Sequence, residues 1–249
     1  MALYNREEEY IKILTERAHT VKELSEKLFV SEPTVRRDIV LLKKKELVTC
    51  TNGNVSLVIV SPDKRIPTFI RDYENTEAKK LMAIKASEFI KDGDTVMLDA
   101  STSAYALIPH LVKFQNLFVI TSGAKTSIGL SAMGIKNLCT GGEAITESFS
   151  FVGPDAERTL KNYNADIAFF SCRGLSAQGV VSDNSIYENN IRKIMMEQSK
   201  RSILLCDDSK VNRAYLNNLC SVDALDAVIC EKPLPDGIKD KINLKGKKN

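Results

Sequence analysis

The sequence predicts an α/β protein in two parts: an N-terminal winged helix-turn-helix domain, then a Rossmann-like, mostly parallel α/β domain. Three observations carry that prediction. Apolar residues recur at helical spacing up to about residue 45, and an Asn-Gly turn between two β-rich runs follows, the order of a helix-turn-helix with a hairpin behind it. The stretch SPDKRIPTF at 61–69 then breaks every period with two prolines and three charges. Beyond it, apolar β-rich runs alternate with helical segments, the pattern of a parallel sheet covered on both faces. The expected organisation is a winged helix over 1–60, a linker over 61–75 and the α/β domain over 76–249.

From residue 5, Tyr10, Ile11, Ile13 and Leu14 fall at helical spacing, and the pattern breaks near His19 and Thr20. TVKE at 20–23 is a capping box: Thr20 is placed to accept the amide of Glu23 and Glu23 to reach back, so a short helix is expected over Val21–Leu28. FVS makes a turn. Ser31 caps a third helix, with Pro33 in its first turn, where the missing N–H costs little. Val35, Ile39 and Leu42 share one face of that helix, which points Arg36 and Arg37 away from the core. Glu32 and Asp38 are candidate local partners of those arginines. LVTC and VSLVIV, on either side of TNGN, read as the strands of the wing.

In the second part the runs at 95–99, 117–121, 137–140, 166–171, 202–207 and 226–230 are expected as strands. Helices are expected near 76–91, 103–113, 124–133, 154–163 and 185–200. Two turns, LDASTSA and ITSGAKTS, run from a strand through small hydroxyl residues into a helix. Both would lie at the carboxyl edge of the sheet, where ligands of open α/β folds bind. The Lys-rich tail KDKINLKGKKN is expected to fray.

Composition excludes several classes. The chain is 43% apolar and 27% charged, as in ordinary soluble proteins. It has no apolar run long enough to cross a bilayer and no signal-peptide pattern at MALYNREEEY, so a cytoplasmic protein is expected. The net charge is only +3, and residues 1–57 hold 10 Lys and Arg against 9 Asp and Glu. Any nucleic-acid footprint must therefore come from the arrangement of charge. Six scattered cysteines and two histidines support neither a disulfide framework nor a zinc site, and the cysteines are expected as small core residues. No cofactor is expected.

Residues 21–48, VKELSEKLFVSEPTVRRDIVLLKKKELV, strongly resemble the DNA-binding signature of the DeoR family of bacterial transcription regulators. Ser31, Thr34, Val35, Arg36, Arg37 and Asp38 match the family's Ser-x-x-Thr-[IV]-Arg-Arg-Asp run position by position. The resemblance extends along nearly the whole chain, through Arg71 and Asn75, DGD then Asp99, the glycines at 141, 142 and 153, and DDSK at 207–210. It implies that the second domain is a sensor of the sugar-phosphate isomerase type. The chain departs from the family pattern with Asp99-Ala-Ser-Thr-Ser for Asp-x-Gly-Thr-Thr, Thr121-Ser-Gly for Thr-Asn-Ser, and Asn52-Gly-Asn for a His-Gly-Gly wing.

These readings define two candidate sites. For double-stranded operator DNA the candidates are Ser31, Thr34, Arg36, Arg37, Lys43 and Lys44. An arginine in the major groove can fork onto guanine or clamp a phosphate, and the lysines at the far end of the helix suit phosphates. For a phosphorylated sugar effector the candidates are Ser101, Thr102, Ser103, Ser122 and Lys125 toward the phosphate, with Asp99, Glu188 and Lys210 nearer the sugar hydroxyls. A homo-oligomer, dimer or tetramer, is expected, because one recognition helix buries too little surface for tight specific binding. The rival reading is an aldose-ketose isomerase or amino-sugar-phosphate deaminase. It lacks the Gly-rich segments associated with ribose-5-phosphate isomerases and leaves the DNA-binding head without a use, so no catalytic or metal-ligating residue is assigned.

Overall fold

The computed structural model describes residues 3–45, 47–58, 71–72 and 74–243. The chain divides into two compact units, Met1–Glu74 and Asn75–Asn249. Residues 61–70 and 73 of the expected linker lie outside the described residues, as do Ile59 and Val60 of the expected wing strand.

In the first unit, helices α1 (Leu3–Glu16), α2 (Val21–Leu28) and α3 (Glu32–Lys44) pack with a small antiparallel sheet of β1 (His19–Thr20), β2 (Val48–Thr51) and β3 (Asn54–Leu57), in the order β1-β3-β2. The wing turn needs two residues at positive φ, and Asn52 (52°) and Gly53 (78°) supply them. Strand β1 lies where the sequence shows only a break; two residues are too few for a periodicity. Tyr10, Ile11, Leu14, Leu24, Val35, Ile39, Leu42 and Val55 form the core, which includes the face expected for the third helix.

The capping box forms as spelled. Thr20 Oγ1 accepts the Glu23 amide at 3.2 Å, and Glu23 Oε2 accepts the Thr20 amide at 2.7 Å. That amide, then the Arg17 guanidinium and the Thr20 hydroxyl, hold the Glu23 carboxyl down at about 2. A depressed folded pKa means that the Glu23 half of the box is at full strength above the unfolded value of about 4.3 and is lost as pH falls through about 2, while the Thr20 hydroxyl keeps accepting the Glu23 amide. Thr20→Ala is expected to destabilise the first unit by about 0.5–2 kcal/mol in urea titrations at pH 7, with a smaller difference from wild type at pH 2.

The second unit is built on a six-stranded parallel sheet in the order β14-β12-β9-β4-β5-β6. The strands are β4 (Thr95–Leu98), β5 (Phe118–Thr121), β6 (Asn137–Cys139), β9 (Ile167–Ser171), β12 (Ser202–Leu205) and β14 (Ala227–Ile229), one for each expected run. One face is covered by α4 (Thr76–Ser87), α5 (Thr102–Tyr105), α6 (Ile108–Leu111) and α7 (Ala124–Ala132), around Met82, Leu107, Leu111 and Phe169. The other carries α8 (Gly153–Lys161), α9 (Ile186–Glu197) and α10 (Asp236–Asn243), around Phe170, Leu160, Ile191 and Ile238.

Three features differ from expectation. The helix expected over 103–113 is two short ones, because Pro109 in the first turn of α6 has no N–H to continue the ladder from α5. The tail is ordered as α10 up to Asn243, with Ile238 fully buried, while residues 244–249 lie outside the described residues. Two small antiparallel sheets also appear: β7 (Glu143–Ile145) with β8 (Ser150–Val152), and β10 (Gly174–Leu175), β11 (Val180–Asp183) and β13 (Asn217–Ser221) in the order β10-β11-β13. Each is only two to five residues long, too short for an alternating period to mark it as a strand.

Candidate functional site

Ser31 Oγ lies 3.4 Å from the Thr34 amide it caps and 2.9 Å from the Thr34 hydroxyl, so Ser31 and Thr34 fix the start of the recognition helix α3 together. Arg36 and Arg37 are exposed. Arg36 forms an ion pair with Glu32 at 3.2 Å, between side chains 66% and 43% exposed. A surface pair of this kind is worth under about 1 kcal/mol, so Arg36 can leave it cheaply for another partner. Arg36 also lines a groove with Lys22 of α2 and with Cys50 and Gly53 of the wing. Lys43 and Lys44 are exposed in the last turn of α3, where the helix dipole favours cations.

Asp38 is not a partner of Arg36 or Arg37. It is 4% exposed and takes Arg6 of α1 in a fork, Nε to Oδ2 at 2.9 Å and Nη2 to Oδ1 at 3.1 Å, with the Tyr10 hydroxyl on Oδ2 at 3.3 Å. Burial, then the Asp38 charge beside it, push the Tyr10 phenol well above its ordinary value. Lys45 pairs with Glu7 at the other end of α3. Two ion pairs therefore clamp the recognition helix to α1, and the motif's aspartate serves position rather than contact.

In the second unit the strand order reverses at β4, which lies between β5 and β9, so a crevice opens at the carboxyl ends of β4 and β9. Asp99 follows β4 there, 2% exposed. Its Oδ1 accepts the Ser101 amide at 3.0 Å, and its Oδ2 accepts the Ser171 amide at 3.2 Å and Arg192 Nε at 3.0 Å. Arg192, reaching in from α9, also donates Nη1 to Asp183 Oδ2 at 2.9 Å and to Asn189 Oδ1 at 3.1 Å. Burial acts against the Arg192 charge, but Asp183, Asp99 and Glu188 outweigh it and raise its pKa further. Glu188, 9% exposed, accepts the Ser150 hydroxyl at 3.0 Å, and Ser150 meets Ser148 at 2.7 Å. Asp99, Ser122, Glu188 and Arg192 all line the cleft.

Lys210 joins this network through Ser171. Its ammonium lies 3.0 Å from Ser171 Oγ and 2.9 Å from Asp207 Oδ2. Burial opposes the charge on both partners, yet their attraction prevails: Asp207 is lowered and Lys210 raised. Asn75, at the start of α4, donates to Asp207 Oδ1 at 3.1 Å and to Ser209 at 3.0 Å rather than capping its own helix.

The two hydroxyl-rich turns do converge. Gly123 allows this, since a Cβ there would sit 3.0 Å from the Ala100 backbone. Several amides expected to face an anion are instead satisfied within the protein: Ser101 by Asp99, Ala104 by Ser101 Oγ, Gly123 by Thr121 Oγ1. Thr102 and Ser103 are buried beside them, and the Ser103 hydroxyl has no hydrogen-bond partner among the described residues. Lys125 is placed differently from expectation, its ammonium 4.3 Å from the centre of the Tyr105 ring. Asp99 is likewise engaged by Arg192. Three carboxylates around one guanidinium make this part of the cleft a place for hydrogen-bond donors such as hydroxyls rather than for a phosphate. Sequence reasoning missed Arg192, Asp183, Ser150 and Ser171. The available signal was a charged residue, Arg192, on the apolar face that Ile191 and Met195 mark on α9.

A capped cationic recognition helix beside a wing, and a separate α/β unit with a polar cleft at its switch point, are the parts of a ligand-sensing transcription regulator. Residues 6–58 match the DeoR-like helix-turn-helix domain and residues 74–232 the DeoR C terminal sensor domain. The chain is 32% identical over 242 residues to the uncharacterized HTH-type transcriptional regulator YulB of Bacillus subtilis, covering 96% of this chain and 93% of that one. It is 30% identical to the transcriptional regulator GolR of Listeria innocua (86% and 85% covered) and 25% identical to the glycerol-3-phosphate regulon repressor of Escherichia coli (87% and 85%). The chain belongs to the DeoR family of transcriptional regulators. Among solved structures, a chain of the tetrameric eIF2B-beta2-delta2 complex from C. thermophilum shares the fold at TM-score 0.51 and 15% identity, over 67% of this chain and 59% of that one. D-ribose-5-phosphate isomerase is similar at TM-score 0.43 and 15% identity, over 55% and 54%. Among the described residues no helix is long and apolar enough to cross a membrane.

Proposed function

We propose that this regulator is a cytoplasmic repressor of sugar catabolism genes and that a phosphorylated sugar weakens its hold on operator DNA. The observation that carries this reading is the continuous hydrogen-bonded network Lys210–Ser171–Asp99–Arg192–Asp183, which ties the ends of β9, β4 and β11 to one cleft. Sugar hydroxyls would face Asp99 and Glu188, and the phosphate would lie toward Ser101, Thr102, Ser103, Ser122 and Lys210. Relatives named for the aga operon and the glycerol-3-phosphate regulon are repressors, and one named for the L-fucose operon is an activator. Those names support a role in sugar metabolism. YulB and GolR are likewise named as regulators, which supports a binding role for the cleft rather than catalysis.

The ligand must prefer the arrangement that binds DNA poorly; a coupling of about 1–3 kcal/mol changes operator affinity about 5- to 150-fold. The test is to isolate genomic fragments that the protein retains and titrate the complex with hexose and pentose phosphates. An unchanged affinity across the panel would sink the proposal. Glu188→Gln is expected to keep operator binding and abolish the response. We also propose a homo-oligomer whose two heads read half-sites spaced by about 34–36 Å or a multiple. Light scattering and gel shifts should show an oligomer on such sites; a monomer bound at full affinity to one half-site would overturn it.

A further inference from the structure

Cys172 and Cys206 are far apart in the chain and are brought side by side by the parallel sheet. The last paired residues of β9 and β12 are Ser171 and Leu205, so one step beyond sets Cys172 opposite Cys206. Both lie in the same hydrophobic core, and their sulfurs are 3.9 Å apart. Neighbouring strands run about 4.7–4.9 Å apart, inside the Cα separation that a disulfide spans, so side-chain rotation closes most of the gap.

We propose that Cys172 and Cys206 form a peroxide-reactive dithiol that closes to a reversible disulfide across the carboxyl ends of β9 and β12. The Cys172 thiolate attacks one oxygen of hydrogen peroxide, the O–O bond breaks, and Cys172 sulfenic acid and hydroxide result. Cys206, giving up its proton, then attacks the Cys172 sulfur and expels the second hydroxide. Two thiols lose two electrons, and one peroxide and two protons leave as two waters.

The two sulfurs are unequal in the way this order requires. Contact with the Cys206 thiol, and the charges of Lys210 and Arg192, hold Cys172 below its ordinary value despite burial. The same contact, with burial, drives Cys206 well up, which suits it to the second step. Cys172 is 6% exposed, so the oxidant to reach it is a small one such as hydrogen peroxide. Cys172 follows Ser171 and Cys206 precedes Asp207, the two partners of Lys210, so the bridge would form beneath the cleft. The proposal does not depend on what the cleft binds.

The test is a thiol map of the full-length protein, reduced, treated with hydrogen peroxide, denatured in N-ethylmaleimide and digested without reductant. The expected result is loss of two alkylatable thiols, a Cys172–Cys206 cross-linked peptide, and return of both thiols with dithiothreitol. In Cys206→Ser the reaction should stop at Cys172 sulfenic acid, which dimedone captures. Full alkylation of Cys172 and Cys206 after treatment would overturn the proposal. So would a bridge from Cys172 to Cys220, which lies within its electrostatic reach on β13. Should Cys206→Ser fail to fold, the wild-type map alone decides.

Discussion

Arg192→Met is expected to lower the stability of the second unit by about 3–5 kcal/mol, the cost of leaving buried carboxylates without their counter-charge. Asp99 and Asp183 are 2% and 7% exposed, and each accepts a direct hydrogen bond from Arg192. Methionine fills much of the volume but returns none of the charge. The measurement is urea unfolding of the full chain, with the transition of each unit followed separately. The second-unit midpoint should fall while that of the first stays in place. Adding Asp99→Asn to Arg192→Met should recover part of the loss, since one orphaned charge is removed. A variant as stable as the wild type would mean that water or a neighbouring cation reaches the carboxylates and that the network is not a closed one.

Arg36→Ala and Arg37→Ala are each expected to weaken operator binding by about 1–3 kcal/mol, or about 5- to 150-fold, with little effect on folding because both side chains are exposed. Binding measured across sequence variants and salt concentrations separates two roles. An arginine that reads a base loses discrimination at one position of the site. One that holds a phosphate weakens all sequences alike and flattens the salt dependence by about one unit. Glu32→Gln should change affinity much less, since the ion pair it removes is exposed. Operator binding by the double alanine variant equal to that of the wild type would falsify the assignment of α3. Asp38→Asn makes a useful contrast: it weakens the buried fork to Arg6 and should loosen the first unit rather than shift base preference.

Local chemistry was legible wherever a few consecutive residues decide the outcome. The TVKE box, the Ser31 cap, the Asn52-Gly53 turn and the six apolar runs each needed only their own neighbours, and each forms as read. The antiparallel strands around 174–183 and 217–221 were not legible. NNLCS and VVSD are four or five residues with no sustained alternation, and they become strands where β11 pairs with both β10 and β13. The candidate ligand site was half legible for a related reason. Asp99, Ser122 and Glu188 sit at strand ends and in a first helical turn, where position alone marks them, and all three line the cleft. Lys125 looked equally well placed, but the ring of Tyr105 across the helix layer holds its ammonium.

The sequence by itself determined the class of each unit, the capped cationic helix and the strand-to-helix turns. Those are properties of contiguous residues, set by dihedral preference, capping and periodicity. Only the tertiary structure decided which charges meet. Asp38 turned from its neighbouring arginines to Arg6, Asp99 was joined to Arg192, and Cys172 met Cys206. Such pairings depend on strand order and helix packing between residues far apart in the chain. A buried charge takes whichever partner the fold brings within about 3 Å, because leaving it unpaired costs several kcal/mol.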